Sequence, residues 1–284
     1  MTETIPSLVS TEWLAQRLGS PDLVLLDGSF FLPAQGRDAR AEYADAHIPD
    51  ARFFDIDRIA DPASGLPHML PSPEQFAAAA AALGVDDRSH VIVYDGNCFM
   101  ASARVWWTFR VFGHDRVSVL DGGIERWRMQ GRPLTGASVL PSPGRFAAGY
   151  RPGLVCGLGR MRELAGSGAV QILDARSAGR FRGSEPEPRP GVRGGHIPGS
   201  LNLPHRSLVD EDSRCFKADD ELARLFRAAG IAAREPVVTT CGSGVTAAIL
   251  ALGLYRLGNA GVAVYDGSWT EWGGLPDMPV VAGG

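Results

Sequence analysis

The sequence predicts an α/β protein built from two tandem domains, each a mainly parallel sheet flanked by helices. Two observations carry this reading. The chain repeats itself in order and spacing, and each copy alternates short apolar runs with longer segments of helical character. The first half offers Leu23-Val24-Leu25-Leu26-Asp27, then Arg40-Ala41-Glu42-Tyr43, then His47-Ile48-Pro49-Asp50-Ala51. The second offers Val170-Gln171-Ile172-Leu173-Asp174, then Gly179-Arg180-Phe181, then His196-Ile197-Pro198-Gly199-Ser200. Val91-Ile92-Val93-Tyr94-Asp95-Gly96 answers Val237-Val238-Thr239-Thr240-Cys241-Gly242, and Val119-Leu120-Asp121-Gly122-Gly123 with Trp127 answers Val264-Tyr265-Asp266-Gly267-Ser268 with Trp272. The separations of these last pairs are 146 residues (95 to 241) and 145 residues (121 to 266), so the register persists. The domains are placed at 1–138 and 153–284, with a linker at 139–152 inside the Gly/Pro-rich stretch from Gly131 to Gly153.

Buried parallel strands read as short continuous apolar runs. Six fit: Leu23–Leu26, Val91–Tyr94, Val117–Leu120, Val170–Leu173, Val237–Thr240 and Val262–Tyr265. Helices are expected over Pro73–Leu83, Ser102–Phe112, Asp219–Ala229 and Thr246–Leu257. The first has a complete start signal: Ser72 to cap it, Pro73 in the first turn and Gln75 to close a capping box. His47 and His196, each before Ile-Pro, recur in both copies and read as loop clasps, while Asp121-Gly122 and Asp266-Gly267 are turn signals. Trp269 and Trp272, three apart, read as core or pocket wall.

The chain has 284 residues and a formal net charge of −4, which gives no reason to expect nucleic acid or an anionic membrane as partner. Its apolar runs are far below membrane-spanning length, and Met1–Ser10 lacks a basic stretch followed by an apolar one, so a soluble, cytoplasmic protein is expected. The four cysteines at 98, 156, 215 and 241 form no C-x-x-C pair and no Cys/His zinc spacing; reduced thiols, no metal and no organic cofactor are expected.

One stretch carries chemistry. In Val237-Val238-Thr239-Thr240-Cys241-Gly242-Ser243-Gly244-Val245-Thr246-Ala247, a β-branched run ends at a cysteine, glycines follow, and an apolar helical run begins. Strand, tight loop and helix N-terminus turn backbone N–H groups inward around one point and make an anion-binding nest. Such a field favours a thiolate, the nucleophilic form, so Cys241 reads as a catalytic nucleophile. The matching position in the first copy is Asp95, whose carboxylate can satisfy the same N–H groups but is a poor nucleophile toward sulfur; the first domain is therefore expected to be non-catalytic. A cysteine phosphatase would need an arginine closing the loop over phosphate, and none follows Cys241 before Arg256. A binding module without turnover would predict loss of the thiol. Cys156 and Cys215 read as inert side chains; Cys98 reads either as an ordinary half-buried thiol or as a redox partner of Cys241.

The doubled domain, the two His-Ile-Pro motifs and Cys-Gly-Ser-Gly-Val-Thr resemble the two-domain rhodanese superfamily, and within it the 3-mercaptopyruvate sulfurtransferases. Phe53-Phe54-Asp55-Ile56-Asp57, His68-Met69-Leu70-Pro71, Arg104-Val105-Trp106-Trp107 and Tyr265-Asp266-Gly267-Ser268-Trp269 extend the resemblance over nearly the whole chain. It implies a sulfurtransferase that takes sulfur from 3-mercaptopyruvate onto Cys241 as a persulfide, releases pyruvate and passes the sulfur to an acceptor such as cyanide or a thioredoxin-like dithiol. Family members that prefer thiosulfate carry basic side chains after the nucleophile, where this chain has Gly242 and Ser243; thiosulfate sulfurtransferase is the alternative. By the same resemblance Arg180 and Arg189 bind the substrate carboxylate, and Asp57, His68 and Ser243 move a proton beside the cysteine. Gly242, Gly244, Val245 and Thr246 complete the loop around the sulfur. From the residues alone, the arginines beside Glu185 and Glu187 also read as a self-paired surface loop, Ser243 as a small loop residue and His68 as a loop histidine.

Overall fold

The internal repeat is visible down to single hydrogen bonds in the computed structural model, which describes residues 5–283; Met1–Thr4, part of the stretch read for an export signal, lie outside them. Two compact units result. One comprises residues up to Pro62, Leu70–Arg151 and Asp210–Phe216; the other comprises Ala63–Met69, Pro152–Val209 and the chain from Lys217 onward.

The first unit holds a five-stranded parallel sheet of β1 (Leu8–Val9), β2 (Leu23–Asp27), β3 (Arg52–Phe53), β4 (His90–Tyr94) and β5 (Val117–Leu120), in the order β1-β5-β4-β2-β3. The second repeats this topology with β6 (Val155–Cys156), β7 (Gln171–Asp174), β8 (Ser200–Asn202), β9 (Val237–Thr240) and β10 (Ala263–Tyr265), in the order β6-β10-β9-β7-β8. The predicted α/β class with two domains of mainly parallel sheet flanked by helices is the observed one. The central strands are mostly apolar because both faces are covered: β4 and β9 are buried at every position.

The ten α-helices of the described residues are α1 (Thr11–Ala15), α2 (Ala39–Asp45), α3 (Pro73–Ala82), α4 (Ser102–Val111), α5 (Gly123–Met129), α6 (Leu158–Leu164), α7 (Ala178–Arg182), α8 (Asp219–Ala228), α9 (Ala247–Arg256) and α10 (Ser268–Gly274). The capping box of α3 forms as its sequence predicts. Ser72 Oγ accepts the Gln75 N–H at 3.2 Å, and Gln75 Oε1 accepts the Ser72 N–H at 2.8 Å. The helices that follow the two central strands are buried, α4 at every position and α9 from Ala247 to Leu254; α9 is apolar on all sides, as such a helix must be, whereas α4 also carries Arg104 and Arg110 inward over the Trp107 and Trp106 rings. In each core a tryptophan of the helix after the turn motif is fully buried and tied by its indole N–H to a carbonyl: Trp127 to Pro133, and Trp272 to Pro279, both at 2.8 Å.

The His-Ile-Pro clasps are equally matched. The His47 N–H donates to Thr135 and that of His196 to Val281, and each imidazole stacks on an aromatic ring, Tyr43 at 4.1 Å and Phe181 at 3.8 Å. The Gly/Pro-rich stretch lies on the first unit. Phe146 packs against Phe76 and Phe109, and the N–H groups of Gly144, Gly149 and Arg151 bond to Ala81, Phe112 and Val111. Among the described residues no helix is long and apolar enough to cross a membrane.

Candidate active site

Strand β9 runs through the middle of the second sheet, so its carboxyl end opens where chain connections leave in opposite directions, the place ligands occupy in such sheets. Cys241 is the next residue, buried, followed by a tight loop into α9. The start of α10 locks that loop from below. The N–H of Trp269 donates to the Cys241 carbonyl at 3.0 Å, and Thr270 donates to the Gly242 carbonyl through both its N–H (2.9 Å) and its hydroxyl (2.6 Å). Ser268 Oγ accepts the N–H groups of Cys241 (3.2 Å) and Gly244 (3.0 Å) and donates to the Tyr265 carbonyl at 2.7 Å. It does so from a left-handed backbone, φ 51°, which a side chain tolerates only at some cost in strain. Gly244, at φ 74°, turns the loop back on itself. Among the described residues the N–H groups of Ser243, Val245, Thr246 and Ala247 donate to no protein acceptor.

The first unit displays what such a loop holds. Asp95 follows β4 as Cys241 follows β9, and its carboxylate accepts four backbone N–H bonds: Asn97 (2.9 Å) and Phe99 (3.1 Å) on one oxygen, Ala101 (3.0 Å) and Ser102 (2.8 Å) on the other. The Asp95 carbonyl accepts the Ile124 N–H at 3.2 Å, as that of Cys241 accepts Trp269. Gly123 stands where the second unit has Ser268, and its own φ is 55°. A Cβ at Gly123 would collide with the Asp95 carbonyl, so the first loop has no room for the serine. A carboxylate anion beside the helix N-terminus is thus built into the first unit.

Beside the cysteine loop lies a chain of alternating charges. Asp174, the last residue of β7, pairs with the guanidinium of Arg176 at 2.6 Å, and both side chains are essentially fully buried. Arg176 lies 4.4 Å over the Trp269 ring and reaches Glu187 at 2.8 Å. Glu187 in turn holds Arg180 through Nη2 at 2.5 Å and Nε at 3.2 Å. Arg180 is in place because α7 is capped by Ser177 and stopped by left-handed Gly183, after which the chain folds back and seats the Glu185 carboxylate where a Cβ on Gly179 would stand. The Arg180 guanidinium ends against the loop: Nη2 lies 3.0 Å from where a Cβ on Gly242 would be. His205 sits nearby with Nδ1 at 3.1 Å from the Ala175 carbonyl; burial, assisted by the Arg206 and Arg180 charges, pushes its pKa below the ordinary imidazole value and keeps the ring neutral.

Cys241, Gly242, Ser243, Gly244, Val245 and Thr246 therefore form one loop, and Arg180 lies against it. Arg189 joins through Thr270: its Nη1 reaches the Thr270 hydroxyl at 3.5 Å, and that hydroxyl bonds to Gly242. His68 belongs to the second unit's segment Ala63–Met69, buried and in a left-handed backbone conformation (φ 59°). Asp57 belongs to the first unit. It is exposed, its N–H donates to Asp55 at 3.2 Å, and it lines a cavity of about 300 Å³ with Arg37, Arg40 and Phe53. Burial raises the pKa of Cys156 and of Cys215 to about 11, as inert thiols require.

Sequence reasoning missed Ser268, Thr270, Arg176 and Glu187. A signal was present for two of them, because Ser268 and Arg176 stand where the first copy has Gly123 and Ser29. Departures from an internal repeat cluster at the chemistry.

The sequence pattern of the Rhodanese-like domain matches residues 10–130 and again 158–275. The chain belongs to the rhodanese family. Two curated members are 44% identical to it. One is the human 3-mercaptopyruvate sulfurtransferase, over 94% of this chain and 91% of the human protein. The other is the mitochondrial thiosulfate/3-mercaptopyruvate sulfurtransferase 1 of Arabidopsis thaliana, over 98% of this chain and 78% of the plant protein. The crystal structure of SseA from Escherichia coli, a rhodanese-fold 3-mercaptopyruvate sulfotransferase, superposes with a TM-score of 0.85 at 39% identity, covering 93% of this chain and 98% of that one.

Proposed function

We propose that this rhodanese is a 3-mercaptopyruvate sulfurtransferase working through a persulfide on Cys241. The observation that carries the reading is the pair of matched loops. One N–H cradle is filled by the Asp95 carboxylate, and its counterpart stands over a cysteine. The positions that answer Asn97, Phe99 and Ala101 are Ser243, Val245 and Ala247, whose N–H groups have no acceptor among the described residues. They are suited to the negative outer sulfur of a persulfide.

Catalysis proceeds in two half-reactions, a ping-pong scheme. The Cys241 thiolate attacks the sulfur of 3-mercaptopyruvate, whose carboxylate Arg180 and Arg189 hold. An S–S bond forms as the C–S bond breaks, and its electron pair passes to the carbon as the pyruvate enolate. The substrate's thiol proton ends on that carbon, giving pyruvate and leaving the persulfide anion. Ser243, His68 and Asp57 are assigned to moving this proton. In the second half-reaction a thiophilic acceptor attacks the outer sulfur and regenerates the thiolate: cyanide in an assay, a thioredoxin-like dithiol in the cell. The first domain has Asp95 where the second has its nucleophile and is structural. A cytoplasmic setting keeps the thiolate reduced.

Thiosulfate remains the second donor to consider, because the plant relative's name includes it. The loop Gly242-Ser243-Gly244 offers a dianion no cation of its own, which favours the monoanionic thiol acid. Side-by-side turnover with 3-mercaptopyruvate and thiosulfate, with cyanide as acceptor, tests the choice. Higher kcat/KM with 3-mercaptopyruvate is expected, and the reverse overturns the donor assignment. Cys241→Ser should abolish transfer from either donor while leaving the circular dichroism spectrum unchanged; substantial turnover in that variant removes the mechanism.

A further inference from the structure

One titratable side chain at the strand ends of the second unit takes no part in the steps above. His205 opens the 3-10 turn His205–Leu208 that follows β8. Its backbone N–H and its Nδ1 both lie 3.1 Å from the Ala175 carbonyl. A carbonyl only accepts, so Nδ1 carries the proton and Nε2 keeps a free lone pair. Among the described residues Nε2 has no hydrogen-bond partner, and the side chain is half-buried.

The ring is held beside the cysteine loop from two directions. Asp174 pairs in register with Thr240, and the Ala175 N–H donates to the Thr240 carbonyl at 2.9 Å, one residue before Cys241. Asn202 fixes the same stretch, its amide donating to the carbonyls of Asp174 at 2.9 Å and Arg176 at 3.0 Å. From α7 comes Arg180, whose guanidinium ends against Gly242 and whose charge, with that of Arg206 on the turn itself, bears on the imidazole. Glu187, behind Arg180, is engaged by Arg180 and Arg176. Burial and the two cations disfavour imidazolium, so the ring stands neutral with its basic nitrogen unspent. The internal repeat marks this position as well. The Leu203 N–H donates to Asp174 as that of Phe54 donates to Asp27, so His205 stands where the first unit has Ile56. The unit with a thiol has a base there, and the unit with an aspartate has an apolar side chain.

We propose that His205 is the general base of the second half-reaction, taking the proton of a thiol acceptor at Nε2. The inference rests on the persulfide reading above and supplies a base to the one step that reading leaves without one. The S–H proton of the acceptor passes to Nε2, and the resulting thiolate attacks the outer sulfur. An S–S bond forms between the acceptor and that sulfur as the bond to Cys241 breaks, and its electron pair returns to Cys241 as the thiolate. The imidazolium gives its proton to the acceptor's new persulfide, which leaves the ring neutral again. Arg180 and Arg206 favour this return, because an imidazolium beside two guanidiniums is a strong proton donor. Cyanide attacks as an anion with no proton to remove, so it bypasses the ring.

The test uses the full chain with 3-mercaptopyruvate as donor and compares dithiothreitol with cyanide as acceptor. In a ping-pong scheme kcat/KM for the acceptor reports the second half-reaction alone. His205→Asn keeps an amide to donate to the Ala175 carbonyl and removes the base. At neutral pH it should lower kcat/KM for dithiothreitol roughly a hundredfold, with a loss for cyanide at least tenfold smaller. The dithiothreitol deficit should shrink as pH rises past about 8.5, the ordinary thiol value, because the acceptor then ionises unaided. Equal losses with the two acceptors, or a dithiothreitol deficit that does not change with pH, overturn the proposal. The wild type decides even if the variant does not fold by circular dichroism. Its kcat/KM for dithiothreitol should fall less than about threefold for one unit of pH below the thiol range, and a tenfold fall, tracking the thiolate fraction, overturns the proposal. A wild type that transfers sulfur to cyanide but not to dithiothreitol overturns it too. Transfer from 3-mercaptopyruvate to neither acceptor strikes instead at the functional reading, and the proposal falls with it.

Discussion

Ser268 shows how a single residue is retained against its local preference. Its left-handed backbone suits glycine, and the first unit has glycine there. Serine nonetheless occupies the position, and its hydroxyl gathers the N–H groups of Cys241 and Gly244 while anchoring itself to Tyr265. Ser268→Gly should relieve about 1 kcal/mol of backbone strain and forfeit hydrogen bonds of about the same worth each. The three lost bonds outweigh the relieved strain by about 2 kcal/mol, so the melting temperature should fall by several degrees, while kcat drops at least tenfold because the loop loses its set position. A calorimetric scan beside a cyanide assay separates the two effects; a large fall in melting temperature with unchanged kcat makes Ser268 a fold residue only.

Matched elements of the two units differ in how their strand ends are satisfied. β7 ends in Asp174, neutralised by Arg176, whereas β2 ends in Asp27, with Ser29 in the corresponding place. Burial raises the Asp27 pKa to about 6, against the help of the Ser29 N–H, and the Asp95 charge adds to the rise. A carboxyl with a folded pKa above its unfolded value binds more protons when folded. Its contribution is thus intact below pH 4 and is lost as pH rises toward 6, by about 3 kcal/mol at neutral pH. Asp27→Asn should remove this slope, so that its advantage over wild type in urea midpoint grows between pH 4.5 and 7; a constant difference across that range contradicts the assignment. The longer elements were legible in the sequence because their signals are local. Val117–Leu120 and Val237–Thr240 match the predicted strands residue for residue, and α3, α4, α8 and α9 end within a residue or so of expectation. The two- and three-residue strands β1, β3, β6 and β8 were not legible, since pairing with a neighbour, not their own apolar content, makes them strands.

Across the whole molecule, the repeat made the doubled α/β plan readable, but not the membership of every segment. Residues 210–216 lie late in the chain yet complete the first unit, where Phe216 packs edge-on against Phe99 at 5.0 Å and its N–H bonds to Asp121 at 2.8 Å. Nothing in their composition marks that destination. Likewise the cysteine and its glycine loop stood out, whereas the carboxylates and guanidiniums behind Arg180 gained meaning only through the turn that brings Glu187 back over α7. The contrast between the two cradles has a thermodynamic consequence. The first is saturated by its own aspartate and is indifferent to chemistry, while the second holds a negative outer sulfur only when Cys241 carries one. The outer sulfur stays bonded to Cys241 on unfolding, but only the folded loop gives it N–H partners, so loading favours the folded state. The sulfur-loaded protein should melt several degrees higher than the free thiol form, roughly 3–6 °C for one or two kcal/mol, and cyanide should return it to the lower value. Heat resistance would then report, without any assay of turnover, how much of the enzyme is charged with its cargo.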